Sequence, residues 1–189
     1  GKVCVLGRIL TSRGCPYRCV FCSTSRFWKT LRFHSAEYVA KSIKYQIENF
    51  GVNYVNVLDD LFTVSKSRLK ELIRAFENEG ILGKVGFSCQ ARANLIDEEM
   101  CELMRKVGIK SVNFGFESGS QRVLNYLKVG TVTTEMNKKA ILLCKKFGFS
   151  VFGSLIFGSP GEKIEDMKET LDFMDWSKKN NADYIWTFV

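Results

Sequence analysis

The hydrophobic residues of this chain alternate between two spacings. Short runs rich in β-branched and aromatic residues predict strands that are covered on both faces, as in a parallel sheet. The clear runs are residues 54–58, 112–116, 151–157 and 184–189, and two weaker candidates are residues 8–12 and 84–89.

Between these runs, apolar residues recur three or four positions apart, as they do on one face of an amphipathic helix. Ser35 is suited to cap the first such helix, in which Val39, Ile43 and Ile47 share one side. Serine or aspartate before the helices and glycine after them match the rules for helix ends. The predicted helices cover residues 36–49, about 65–80, 97–108, 134–147 and 163–179.

The order is therefore strand–helix repeated five times, followed by a sixth strand. Such units build either a doubly wound sheet or a barrel, and in both the chemistry lies at the carboxyl ends of the strands. No linker or low-complexity segment divides residues 1–189, so we expect one domain. The chain stops inside the sixth predicted strand, which suggests a core trimmed from flanking domains.

Composition excludes some classes of protein. No apolar run approaches the roughly 20 residues that a membrane helix needs. The start, Gly1-Lys2-Val3-Cys4, lacks the features of a secretory signal, so a cytoplasmic location is expected. The net charge of +8 permits a nucleic-acid partner. The lysines spread along predicted helices, however, and no basic stripe interleaved with aromatic residues is visible, which favours solvated helix faces.

Three of the seven cysteines, Cys15, Cys19 and Cys22, fall within eight residues just after the first predicted strand. An odd total without an export signal argues against a disulfide framework, so the cluster indicates a metal site. Four-iron clusters are usually held by four cysteines, and three would leave one iron open for chemistry. The alternative is a structural zinc site with His34 as fourth ligand, although no partner histidine accompanies it.

Residues 11–22, including Phe21 before the last cysteine, resemble the signature of the radical S-adenosylmethionine (SAM) superfamily. Four later segments are similar to motifs of the same family, in the same order: residues 57–62, 87–95, 114–120 and 154–162. The sequences of residues 117–130 and 154–162 are most similar to enzymes associated with cobalamin-binding domains. The resemblance implies a partial (β/α)6 TIM-like barrel of parallel strands, truncated at strand six.

The resemblance also implies two cofactors: a [4Fe-4S] cluster held by the three cysteines, and SAM chelating its open iron. Asp59 or Asp60 would accept hydrogen bonds from the SAM ammonium group, and Arg92 would offer a donor fork to the carboxylate. Alternatively, the aspartates or Glu117 cap helices, and Arg92 forms a structural ion pair. Glu162 is expected only to cap the last helix. The full set of implied SAM contacts is Phe21, Asp59, Asp60, Gln90, Arg92, Glu117, Ser118, Ser154, Ile156 and Gly158.

By the same resemblance, the reaction is the [4Fe-4S]-dependent reductive cleavage of SAM to a 5′-deoxyadenosyl radical that abstracts hydrogen from an unknown substrate. An electron donor such as flavodoxin or ferredoxin is implied, and cobalamin would be held by a domain outside this chain. One alternative is a methylthiotransferase-type core that acts on RNA or protein. An alternative of another class is a metal-bearing module that binds nucleic acid.

Overall fold

The computed structural model describes residues 3–189, apart from the side chain of Ser25. The expectation of a cytoplasmic location concerns the first four residues, of which Gly1 and Lys2 lie outside the described part of the chain. The strands are β1 (Leu6–Ile9), β2 (Ser12–Arg13), β3 (Arg32–Phe33), β4 (Tyr54–Val57), β5 (Gly86–Ala91), β6 (Ile109–Glu117), β7 (Ser150–Ile156) and β8 (Tyr184–Phe188). The helices are α1 (Thr24–Phe27), α2 (Ala36–Phe50), α3 (Lys66–Asn78), α4 (Glu98–Val107), α5 (Gln121–Lys128), α6 (Thr134–Lys146) and α7 (Ile164–Lys179), with short 3-10 turns at Phe62–Val64 and Ala93–Leu95.

Six of these strands form one parallel sheet in the order β1-β4-β5-β6-β7-β8, which confirms the predicted α/β class. All six predicted strands are present, and the two weaker ones lie about two residues from their predicted positions. Each chain crossover carries a helix, as parallel neighbours require.

Three elements were not predicted: α1, α5 and the two-stranded antiparallel ladder of β2 and β3. The ladder has two residues per strand and α1 has four, too few to give a periodic signal. Helix α5 does carry one, because Val123, Leu124 and Leu127 are all buried on one side. No element was predicted between residues 121 and 133, so this helix was missed.

The predicted caps are present at the helix starts. The side chains of Ser35, Ser65 and Asp97 each accept a hydrogen bond from a backbone N–H in the first turn of α2, α3 and α4. None of the helices within residues 3–189 has the length and apolar character needed to cross a membrane.

Strand β6 shows how the sheet separates its two faces. Phe114 and Phe116 are buried, and the Phe116 ring meets Phe173 of α7 at 5.5 Å between ring centroids. Asn113 and Glu117 belong to the alternate set and line a cavity on the opposite, concave face. The helical layer therefore covers one face, and the other is left for the site.

The edge strand β1 has an unusual neighbour. The amide side chain of Gln46 on α2 donates to the Arg8 carbonyl at 3.2 Å and accepts from the Arg8 N–H at 3.3 Å. One side chain thus occupies hydrogen-bonding positions that a further strand would use.

Candidate functional site

A cavity of about 330 Å³ opens on the concave face of the sheet, at the carboxyl ends of the strands. Its wall joins the cysteine loop to β5, β6, β7 and β8, as expected for a parallel α/β fold. Nine of the thirteen predicted site residues lie on it: Cys15, Cys19, Phe21, Cys22, Asp60, Gln90, Arg92, Glu117 and Ser154. The other four, Asp59, Ser118, Ile156 and Gly158, are not part of this wall.

The three wall cysteines are free thiols and half-buried. The loop that carries them turns tightly, with the Cys22 N–H bonded to the Cys19 carbonyl at 3.1 Å. Burial raises the pKa of the Cys15 thiol, and the nearby sulfurs of Cys19 and Cys22 raise it further, whereas the Tyr17 N–H and Arg92 oppose the rise. A cation bound among the three sulfurs would reverse this balance by favouring the thiolates.

The four remaining cysteines lie elsewhere. Cys4 is exposed, whereas Cys89, Cys101 and Cys144 are buried in the core, and burial raises the pKa of the Cys89 thiol. The described part of the cavity wall therefore offers three thiols and no fourth. This donor set fits a four-iron cluster that keeps one open iron.

A mononuclear zinc site was the alternative. Throughout residues 3–189, no three His, Cys, Asp or Glu side chains form a group that would hold a single metal ion. His34, the proposed fourth ligand, lies off the cavity wall and stacks on Tyr38 at 5.2 Å between ring centroids.

The two neighbouring aspartates have different positions. Asp59 is buried and accepts from the Thr11 N–H, the Thr11 hydroxyl and the Ser12 hydroxyl at 2.5–2.6 Å. Asp60 lies on the cavity wall and accepts from the Gly14 N–H at 3.2 Å, so it supports the start of the cysteine loop. Neither caps the following helix, because Ser65 does so. A contact with the SAM ammonium stays a prediction, and geometry favours Asp60 for it.

Arg92 lies beside the cysteines with its guanidinium already engaged. Its Nη1 donates to Cys19 Sγ at 3.2 Å, its Nη2 donates to Thr131 Oγ1 at 2.5 Å, and it stacks 3.9 Å from the Tyr17 ring centroid. No carboxylate pairs with it in the described structure, so the ion-pair alternative is wrong. Two of its five N–H donors are used in these two hydrogen bonds, and Nε has no partner, so donors remain for the predicted contact with the SAM carboxylate.

Glu117 forms a buried ion pair that sequence reasoning missed. Its Oε1 lies 2.7 Å from the Nζ of Lys128, the last residue of α5, and both side chains are only 6–7% exposed. The pairing of β6 with β7 shifts register here, and Glu117 has φ +65°, rare for a non-glycine residue. Because of this register shift and backbone conformation, the Glu117 carboxylate faces the cavity wall. It does not cap α5, which begins after Ser120. Recognising α5 would have drawn attention to Lys128.

The predicted residues that miss the wall have other partners. The Ser118 hydroxyl is buried and lies 3.1 Å from Thr170 Oγ1 on α7, so its predicted contact with SAM lacks support from the geometry. Glu162 accepts from the N–H groups of Gly158 and Ser159 at 2.5 and 3.0 Å. It therefore closes the turn after β7, and the expectation that it caps α7 is wrong.

Aromatic residues of the last strand complete the wall. Trp186 and Phe188 on β8 line the cavity, and the Trp186 ring stacks on Phe152 of β7 at 5.7 Å. Phe21 in the cysteine loop adds a third ring to the apolar part of the wall. Asn113, Gln90 and Ser154 form a polar part.

Comparison with known proteins agrees with this site. The family model of the radical SAM superfamily matches residues 9–174. The chain is 35% identical over 179 residues to an uncharacterized methyltransferase of Pyrococcus horikoshii, covering 94% of this chain and 38% of that protein. It is 31% identical over 187 residues to the cytidylyl-2-hydroxyethylphosphonate methyltransferase of Streptomyces wedmorensis, covering 95% of this chain and 35% of that protein. The chain thus spans little more than a third of these curated relatives.

Among solved structures, the fold matches the radical S-adenosylmethionine methyltransferase TsrM from Kitasatospora setae with a TM-score of 0.85 and 22% identity, over 97% of this chain and 35% of that one. That protein was solved with tryptophan and a SAM analog, and also with cobalamin and a [4Fe-4S] cluster. The family match covers most of the chain and all three wall cysteines. The chain belongs to the radical SAM superfamily, whose members use a [4Fe-4S] cluster and SAM.

Proposed function

We propose that this chain is the SAM-cleaving core of a cobalamin-associated radical SAM methyltransferase. The observation that carries the proposal is the meeting of three free thiols with a buried Glu117–Lys128 pair on one cavity wall. One wall therefore carries both the sulfur ligands for a cluster and the two opposite charges that would bind the ammonium and carboxylate groups of SAM.

The cysteine loop is the part of the chain that would hold the cluster. When bound, the cluster supplies the electron that breaks a sulfonium carbon–sulfur bond of SAM. Cys15, Cys19 and Cys22 provide the three thiolates, and Arg92 donates to one of their sulfurs from within the protein. Hydrogen bonds to cluster sulfurs are one of the means by which a protein tunes its reduction potential.

The charged side of the wall fits the amino-acid end of SAM. Glu117 and Asp60 are suited to its ammonium group, and Lys128 to its carboxylate. In the absence of a ligand, Glu117 and Lys128 neutralise each other at 2.7 Å. When SAM binds, Glu117 would pair with its ammonium group and Lys128 with its carboxylate, so every charge keeps a partner of opposite sign.

The rest of the wall fits the nucleoside end. Asn113, Gln90 and Ser154 offer donors and acceptors for ribose hydroxyls and base edges. Phe21, Trp186 and Phe188 offer exposed rings against which a planar base would pack and from which it would displace water.

The assignment to methyl transfer rests on the two curated relatives described above, both named methyltransferases. Cobalamin would be held by protein outside this chain, because the relatives are almost three times as long. The methyl acceptor stays unassigned. We place the enzyme in the cytoplasm, where thiols are kept reduced.

The test is anaerobic reconstitution followed by incubation with SAM and dithionite. We expect about four irons per chain and formation of 5′-deoxyadenosine. Replacing Cys15, Cys19 or Cys22 by alanine should abolish both, whereas Cys4→Ala, at an exposed position, should change neither. Full iron loading in Cys19→Ala, or its loss in Cys4→Ala, would overturn the ligand assignment.

A second measurement addresses the class of reaction. With a chain that retains its flanking segments, SAM carrying a deuterated methyl group should pass that group to cobalamin and then to an acceptor, read by mass spectrometry. Transfer of a methylthio group to RNA or protein instead would establish the methylthiotransferase alternative.

A further inference from the structure

The positive charge of this chain is concentrated in its first quarter. Residues 1–50 contain nine Lys or Arg and two acidic residues, whereas residues 51–189 contain nineteen and eighteen, so they are nearly neutral. No acidic residue precedes Glu37. The net charge of +8 is therefore a local property of the region around the cysteine loop and not a general feature of the helices.

Five of these cations lie within twenty residues of the chain, around the cysteine loop and the Trp28 segment, and we call them the cationic surface: Arg13, Arg18, Arg26, Lys29 and Arg32. All five are exposed, and none belongs to an ion pair in the described part of the chain. Several cations of α3 and α6 differ, because Lys66, Lys70 and Lys146 each pair with a glutamate or aspartate, although Arg74 and Lys139 on the same helices are exposed and in no ion pair of the described chain.

Two of the cations are held against each other. Arg13 and Arg32 are direct partners across the ladder of β2 and β3, and their guanidinium carbons lie 6.0 and 5.5 Å from the centre of the same Trp28 ring. Like charges directly opposite one another destabilise a strand pair. The ring partly offsets this repulsion, but no anion of the described chain does. Such an arrangement is suited to an anionic partner.

This surface adjoins the cysteine loop. A Cβ atom on Gly14 would lie 3.2 Å from the Trp28 Cβ and 2.8 Å from the Thr30 carbonyl oxygen, so the segment around Trp28 packs directly on the residue before Cys15. Arg18 lies within the loop itself, between Cys15 and Cys19. In contrast to Arg92, none of the five donates a hydrogen bond to a sulfur, so neutralising the thiolates does not account for them.

We propose that the cationic surface is the docking site for an acidic electron-transfer protein, either a flavin or an iron–sulfur carrier. The proposal rests on the proposed function, since it needs a cluster to receive the electron. In each encounter, one electron leaves the reduced carrier and enters the cysteine-held site; the carrier is oxidised by one electron, and no bond or proton is exchanged. Electron-transfer complexes are small, weak and steered by charge, which suits a patch of five exposed cations.

Single-stranded nucleic acid is the other class of anionic partner. Such ligands stack their bases on open aromatic rings. Three of the nearby rings already have partners: Trp28 faces Arg13 and Arg32, Phe33 faces Arg68 at 5.2 Å, and Tyr38 stacks on His34. Phe27 is exposed and meets Trp28 edge-on. One open ring offers less than the series of rings on which successive bases stack, which favours a protein surface.

The experiment compares two reductants on the reconstituted chain. The variant is Arg13→Glu/Arg32→Glu, with Arg13→Gln/Arg32→Gln as a milder form if charge reversal disturbs folding. The matched control is Lys139→Glu/Lys179→Glu, which reverses two exposed, unpaired charges on α6 and α7. Reduced flavodoxin is the probe, and its oxidation is followed by absorbance together with the cluster signal in electron paramagnetic resonance, without SAM.

At low salt we expect the second-order rate of transfer from flavodoxin to fall at least tenfold in the Arg variant and by less than twofold in the control. Added salt should slow the parent chain and affect the variant little. Reduction by dithionite, a small reductant that needs no docking surface, should be the same in all three proteins.

Other results separate the possible failures. An iron-loaded variant with an unchanged flavodoxin rate, or an equal loss with dithionite, would overturn the docking site while leaving the proposed function intact. Binding of single-stranded RNA that requires Arg13 and Arg32, with an unchanged flavodoxin rate, would replace it by a nucleic-acid surface. A parent chain that assembles no iron would overturn the proposed function and this inference together.

Discussion

Replacing Lys128 by methionine removes the positive half of the pair that sequence reasoning missed. The Lys128 Nζ lies 2.7 Å from Glu117 Oε1, and the two side chains are 6% and 7% exposed. Methionine keeps most of the length of lysine but loses the Nζ cation, which also lies 5.6 Å from the centre of the Phe21 ring. The variant therefore isolates the charge.

The cost follows from leaving a buried carboxylate without its counter-ion. Breaking a buried ion pair by removing one partner costs about 3–5 kcal/mol. This pair lies on the wall of an open cavity, where water can reach the carboxylate. We therefore expect Lys128→Met to lower the free energy of unfolding by about 3 kcal/mol, the low end of that range. That equals roughly a 150-fold shift in the folding equilibrium. The double variant Glu117→Gln/Lys128→Met leaves no unpaired charge and should lose about 1 kcal/mol or less.

The assay is urea unfolding of the metal-free chain at pH 7, followed by circular dichroism for the parent, both single variants and the double variant. A double-mutant cycle then gives the coupling energy. With the cluster rebuilt, the double variant should also bind SAM more weakly than the parent. A loss below about 1 kcal/mol in Lys128→Met, or additive losses in the cycle, would show that the pair is not the buried, coupled unit described here.

Three further predictions concern the surroundings of the site. Arg92→Gln should lower the reduction potential of the cluster by on the order of 60 mV, about 1.4 kcal/mol for one electron, because a cationic donor to Cys19 Sγ is lost; a potential that stays or rises in a redox titration would contradict this. Gly115→Ala should destabilise the fold by about 1–3 kcal/mol in the same urea assay, since its new Cβ would collide with the ion-paired carboxylate of Glu117. An unchanged free energy of unfolding would show that the Glu117 side chain can move aside. The Arg122 guanidinium holds the pKa of Asp166 well below its usual range, so this carboxylate stabilises the fold above about pH 4 and the contribution is lost as pH falls through the lower, folded-state value. Thermal melts between pH 5 and 2.5 should therefore show a shallower acid loss in Asp166→Asn than in the parent, and equal slopes would refute the linkage.

The sequence was a good guide wherever a repeating pattern determines structure. The buried runs of β4 and β6 and the capped helices α2 and α4 lie where hydrophobic spacing predicted them. The cysteine loop was found because three ligands are close together in the chain, and the cavity wall confirms that they face one space.

Contacts between distant segments were the part that the sequence did not reveal. Asp59 and Asp60 are adjacent and chemically identical, yet Thr11 and Ser12 engage one while the other faces the cavity. Nothing local distinguishes them, because the difference arises where the end of β1 meets the end of β4. Lys128 was missed for a similar reason, since an irregular turn after β6 brings it back to Glu117.

The Gln46 side chain at the outer edge of β1 has a consequence for how the sheet can grow. By satisfying both backbone groups of Arg8, it leaves that margin unattractive to any incoming strand, whether from a flanking segment or from another molecule. Additional strands would therefore join this sheet more readily at the β8 edge than beside Arg8.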